Sequence, residues 1–307
     1  MRNRIFKNIL LIFAIGATAL SGGCSSLSKA QLEGVATFAQ TCDSFSAYPS
    51  LLFLEMAKIR EESSIWYASS LTSPEKRVAE LVEISGFKKS QEKIAKGTDI
   101  SLKILSDYSS ALKSLAHENR VIDPGREIRS AGRAIDSLII SFNSLKLAQP
   151  VTSGIISSAA RIIGYGAQLN ASRARANAIT KFIPSGDTLV QEICRSLETL
   201  LKDESIKALI DHEQKMLVNN YLSYVGIRGG DINEDRRFCS LLEKSADLDK
   251  LRSSTVTSVG SLRRAHGKMA AQIKEGISLF EQLEAIKEFG YEVEKLSKIV
   301  RKWQKRG

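Results

Sequence analysis

The chain has 307 residues, 43% of them hydrophobic but only 7% aromatic, and a formal net charge of +10. This apolar content, dominated by Leu, Ile and Ala, excludes a disordered chain and suits helix packing better than a β-sandwich. The four cysteines include no C-x-x-C pair and no metal-ligand spacing, which argues against redox catalysis and zinc binding.

The chain begins with Arg2, Arg4 and Lys7, followed by an apolar run over 9–20. At about 12 residues that run is too short to span a bilayer as a helix. A basic start, a short apolar region and small residues are the order of a secretory signal peptide. Leu20-Ser21-Gly22-Gly23-Cys24-Ser25-Ser26 resembles the lipobox of bacterial lipoproteins, with Ser21 where that family places Leu, and Leu20 one position early. The resemblance implies cleavage before Cys24 and lipidation of its sulfur. Two acyl chains anchor firmly where one is marginal. Ser25 after the cysteine implies, by resemblance to Gram-negative lipoproteins, the outer membrane. Ala17-Thr18-Ala19 offers an alternative cleavage site, which would release a soluble periplasmic or secreted protein. With three basic residues and no acid in the leader, the remaining chain carries about +7, a surface suited to solubility or to anionic envelope components.

Helical periodicity then dominates. A first helix is predicted over 28–45, and a second from Pro49 to about 70 with Leu52, Met56, Ile59 and Trp66 inward. Ser73-Pro74-Glu75 reads as an N-cap and first turn, and the pattern runs to about 117 with Gly86 and Gly97 as candidate breaks. Ile100, Ile104, Leu105, Tyr108, Leu112 and Leu115 mark its apolar face. Asp123-Pro124 opens a helix with Ile128, Ala131, Ile135, Leu138, Phe142 and Leu145 inward. A helix rich in small residues is predicted over 151–182, and a shorter one over 187–202. Further helices are expected over 204–225, from Asn233 or Asp235 to about 274, and over 278–303. The expected fold is all-α, a bundle of about seven to nine helices with short links and no sheet. Its parts are a signal peptide at 1–23, a lipidated tether at 24–30 and one helical domain at 31–307, with a sub-boundary placed near 184–187.

Tyr108-x-x-Ala111-Leu112-x-x-Leu115-Ala116, a small-residue helix downstream and Arg173-x-Arg175 are together similar to a pattern in uncharacterised all-helical bacterial envelope proteins. That resemblance implies a helical fold and no particular chemistry.

Motifs with catalytic or metal-binding associations are incomplete. Asp231-x-Asn233-x-Asp235 opens like a calcium loop, but Arg236 and Leu242 replace its obligatory Gly and Glu. His212-Glu213 lacks the second histidine of a zinc protease, since Met216 stands there. Ser85-x-x-Lys88 and Ser110-x-x-Lys113 match a penicillin-binding nucleophile motif without its companion elements. His117, His212 and His266 are scattered and read as surface residues. With Cys24 lipidated, one disulfide is open to Cys42, Cys194 and Cys239. The C-terminal residues Lys298, Arg301, Lys302, Lys305 and Arg306, with Trp303 at a lipid interface, form a candidate contact for an anionic surface.

The sequence therefore points to a non-catalytic envelope lipoprotein without cofactor, a binding or scaffolding module at the periplasmic face of the outer membrane. Its partners are the membrane, through the lipid, and an envelope protein or anionic envelope component, with no nucleic acid. The alternative is a membrane-active, pore-forming or lysis-related protein that uses the small-residue segment 151–169.

Overall fold

The computed structural model describes residues 27–116, 124–145, 162, 175–276 and 278–305. Among them the chain forms eight α-helices and no strand: α1 (Lys29–Phe45), α2 (Leu51–Ser70), α3 (Pro74–Ala116), α4 (Pro124–Ser144), α5 (Arg175–Lys202), α6 (Glu204–Arg228), α7 (Ile232–Glu275) and α8 (Leu279–Gln304). The expected all-α bundle is what forms. The leader, His117, Arg306 and all of 151–169 except Ile162 lie outside the described residues.

Local chemistry sets the helix ends. Ser28 and Gln31 close a reciprocal capping box at α1, 3.2 and 2.7 Å long. Ser73 Oγ accepts the Lys76 N–H at the start of α3. Asp203 and Ser278 cap α6 and α8 in the same way. The Asp231 carboxylate accepts the Asn233 and Glu234 N–H groups, so the calcium-like sequence is the N-cap of α7. Gly229 ends α6 at φ 82° and Gly276 ends α7 at φ 69°, conformations that favour glycine.

Two long helices organise the bundle. α3 has 43 residues and α7 has 44, each about 65 Å at 1.5 Å per residue. α1, α4, α5 and α8 pack around one half of this pair, and α2 and α6 around the other. One continuous core joins them, including Leu52, Met56, Ile59, Leu105, Leu112, Phe182, Val259 and Leu296. Contacts fix the register. The Phe38 ring lies 5.7 Å from the His266 ring, Cys42 Sγ lies 3.9 Å from the Leu105 carbonyl, and Gly34 faces Leu283. The starts of α1, α5 and α8 and the ends of α3 and α7 therefore share one end of the bundle. At the other end Arg228 donates to the Ser69 carbonyl and Trp66 to Glu234, joining α6, α2 and α7.

Two candidate breaks are absent. α3 runs unbroken through Gly86 and Gly97, because buried residues from Ile84 to Leu115 keep one face against α1, α2, α4 and α5. The boundary placed near 184–187 is likewise interior to α5. Pro184 breaks one hydrogen bond, but Phe182, Ile183, Leu189 and Val190 on either side enter the same core and carry the helix through.

Continuity at Gly86 has a measurable consequence. A Cβ there meets nothing within 4 Å, so Gly86→Ala is expected to raise stability by about 0.5–1 kcal/mol, the helix-propensity difference. Denaturant unfolding checks this; no gain would mean that the helix is interrupted there.

Candidate functional site

The densest polar chemistry in the interior is a relay across three helices. Tyr108 of α3 places its hydroxyl 2.8 Å from His266 Nε2 of α7. The other ring nitrogen, Nδ1, lies 2.9 Å from Asp187 Oδ1 of α5. Asp187 also accepts from Gln191 Nε2, which bonds the Arg263 carbonyl of α7 as well. Tyr108 and His266 are fully buried. Burial pushes the Asp187 carboxyl up, but the hydrogen bond and charge of His266, with Gln191 and Lys274, outweigh it and hold the group below its ordinary value. The ionised Asp187 carboxylate accepts the hydrogen bond of His266 Nδ1–H, and the Tyr108 hydroxyl is hydrogen-bonded to Nε2 on the other side of the ring. Burial raises the Tyr108 phenol well above its usual range, so it stays a donor.

The order of groups is that of a nucleophile, a base and an orienting carboxylate. Access is what differs. The Tyr108 ring stacks on Phe182 at 4.9 Å and 16°. A Cβ on Gly186 would sit 2.2 Å from Tyr108 Cε2, so only glycine lets α5 approach this closely. The grooves between α3 and α4, between α1 and α8, and along the start of α7 are lined by neither Tyr108 nor His266. The arrangement pins α3, α5 and α7 in register.

His266 is the main correction to the sequence reading, which put it on the surface. At helical spacing its neighbours are Val259, Leu262, Met269 and Ala270, all buried. That signal was present in the sequence; the adjacent residues Ala265 and Gly267 are not the ones that it packs beside. His212 is exposed, as expected.

A second polar cluster sits in the other half. Arg60 Nη1 binds Glu213 Oε1 at 2.9 Å, with Glu213 almost fully buried. Burial raises the Glu213 carboxyl although the Arg60 charge and hydrogen bond oppose it. The Arg60 guanidinium also stacks 3.9 Å from the Phe87 ring. Asn220 donates to Ser63 one turn away. Each group here is consumed by an intramolecular partner. Lys88 of the Ser85 motif pairs with Glu61 at 2.9 Å, which raises its pKa, the reverse of what a general-base lysine needs.

Cys42, Cys194 and Cys239 are all free thiols, the first two buried and the third exposed. Burial pushes the Cys42 thiol up to about 12 and the Cys194 thiol well above its usual range. On α8, Lys298, Arg301, Lys302 and Lys305 are exposed. Trp303 is not: it is 5% exposed and belongs to the core. Its expected place at a lipid interface is corrected by the helix face it occupies, shared with Leu296 and Val300. No group of His, Cys, Asp and Glu able to hold a metal occurs among the described residues. No known protein family, curated protein or solved structure matches the chain.

Two measurements test this reading of the interior. Gly186→Ala is expected to cost about 1–3 kcal/mol through overpacking, and Tyr108→Phe about 1–3 kcal/mol because a buried His266 nitrogen loses its partner. Denaturant midpoints within error of wild type for both would sink the pin. Separately, a maleimide should label Cys239 in the folded protein, with Cys42 and Cys194 reacting only on unfolding; rapid labelling of all three would refute the packing around them.

Proposed function

We propose that the protein is a non-catalytic envelope lipoprotein, anchored through acyl chains on Cys24 at the periplasmic face of the outer membrane, and that its helical body is a binding or scaffolding module. The observation that carries this reading is the polarity of the rod. The capped start of α1 at Ser28 follows Cys24 by four residues, a reach of at most about 14 Å. Apart from Ile140, Phe280 and Tyr291, every large apolar side chain exposed among the described residues lies in the half remote from that start. Val78, Leu81 and Val82 form a stripe on the first turns of α3, where no residue before Ile84 is buried. Val218 and Leu222 share a face of α6, and Ile227 and Ile232 flank the turn into α7. Exposed apolar side chains concentrated in one region favour a protein contact. A tether at one end and sticky side chains at the other suit a module that holds an envelope partner near the membrane.

The full burial of the Tyr108 hydroxyl and the His266 ring, with only Asp187 reaching solvent, supports a non-catalytic role. Ile162, the one described residue of the small-residue segment, is fully buried in the core, which supports a packed segment over a membrane-inserting one. No helix among the described residues is long and apolar enough to cross a membrane.

Labelled palmitate fed to cells is expected to enter the wild-type protein and not Cys24→Ala. Equal absence of label, with Leu20 as the mature N-terminus, would overturn the anchor. Purified protein lacking the acyl chains should release no dye from liposomes; leakage would favour the membrane-active alternative.

A further inference from the structure

α8 carries an outward face of aromatic and basic side chains. Phe280 is 70% exposed and Tyr291 is 61% exposed. With Lys287, Lys298, Lys302 and Lys305 they recur at intervals of three, four and seven residues, which places them on one side of the helix. From Tyr291 onward the helix and its C-cap Lys305 hold five basic residues, the others being Lys295, Lys298, Arg301 and Lys302, against two acidic ones, Glu292 and Glu294. Lys298 pairs with Glu294 at 2.8 Å, Lys295 with Glu292 at 3.1 Å and Lys302 with Asp247 of α7 at 3.7 Å, and in these pairs the lysine side chains stay 69, 48 and 57% exposed. Nearer the start, Glu284 and Glu281 pair with Lys287 and Lys268. α1 flanks this face with Thr37, Gln40, Thr41 and Ser44, all uncharged, along a groove of about 320 Å³.

The register of α1 shows where this face stands relative to Cys24. Gly34 faces Leu283 and Tyr48 donates to Ser297 at 3.2 Å, two contacts with one sequence offset. α1 and α8 therefore run parallel, and Ser28 lies level with the start of α8, one turn from Phe280. A lipid on Cys24 would hold that end of α8 within about 14 Å of the bilayer.

We propose that this outward face of α8 is a membrane-docking surface for anionic lipid: Phe280 and Tyr291 enter the headgroup region while Lys298, Lys302 and Lys305 lie against its phosphates. Aromatic rings with lysines on a helix that lies in the interface plane are the recognised physics of such contacts, and each lysine near an anionic surface strengthens binding severalfold. The rod then lies along the membrane on α8, rather than standing on its end. The proposal rests on the lipid-anchor reading only for the closeness of the tether.

The test uses residues 25–307, which keep every described residue and carry no acyl chain. Flotation is measured with vesicles of phosphatidylcholine alone and of phosphatidylcholine with phosphatidylglycerol, at low and high salt. The protein is expected to float with the anionic vesicles only, and less at high salt. Lys298→Gln with Lys302→Gln should weaken binding by about tenfold or more; Phe280→Ser with Tyr291→Ser should weaken it comparably. Leu222→Ser, in the remote half, should not. Circular dichroism melts confirm that each variant is folded. Absence of wild-type binding, or equal binding by folded α8 variants, overturns the proposal. Because no acyl chain is present, this failure is separate from failure of palmitate labelling, which would remove the anchor and leave the vesicle result standing.

Discussion

The close approach of α5 to α3 at Gly186 is the constraint on which the bundle depends. It brings the Tyr108 ring against Phe182 and sets Asp187 against His266 of the other long helix. Hydrophobic burial between helices is non-directional. A bundle of apolar stripes built from Leu, Ile and Ala can slide by a turn at little loss. A buried histidine with one partner on each ring nitrogen cannot, since a slip of one turn leaves polar groups unpaired in the interior. The relay therefore selects one register among several of similar apolar area. The remaining helices inherit it, α1 through Phe38 against His266 and α8 through Phe38 against Phe289.

Most of the fold was legible because most of it is local. The apolar steps from Ile100 to Leu115 and the Ser73-Pro74 start of α3 are read correctly, and each rests on chemistry within a few residues. Three readings failed for one shared reason. Gly86 and Gly97 looked like breaks, a boundary was placed near 184–187, and His266 looked like a surface group. In each case contacts from distant helices outweigh the local signal. Glycine disfavours a helix by about 1 kcal/mol and proline by about 3, and burial of the turns beside Gly97 and on both sides of Pro184 offsets such amounts. The candidate site was less legible than the fold, because Tyr108, Asp187 and His266 are far apart in sequence and no motif joins them.

Trp303 shows the same limit on the surface. A tryptophan among lysines invites an interfacial reading, and composition cannot distinguish the two faces of a helix. Its position relative to Leu296 and Val300 turns it inward, while Phe280 and Tyr291, less conspicuous in the sequence, face out. The aromatic residues available to a bilayer are thus set by helical phase. The same phase places the lysines beside those two rings instead of around Trp303.

Catalysis and register make opposite demands on a buried relay. A nucleophile must be reached, so its surroundings must leave room for a reacting atom about 3 Å away. A register pin is stronger the less room it leaves, because water that reaches it supplies alternative partners. Gly186 decides between these demands. In a reactive site a missing Cβ would open space for substrate. Here the space that the missing side chain frees is filled by the Tyr108 ring itself, 2.2 Å from where a Cβ would stand. The glycine deepens the packing around the buried Tyr108 hydroxyl and His266 ring, while Asp187 stays partly exposed at the edge of the relay.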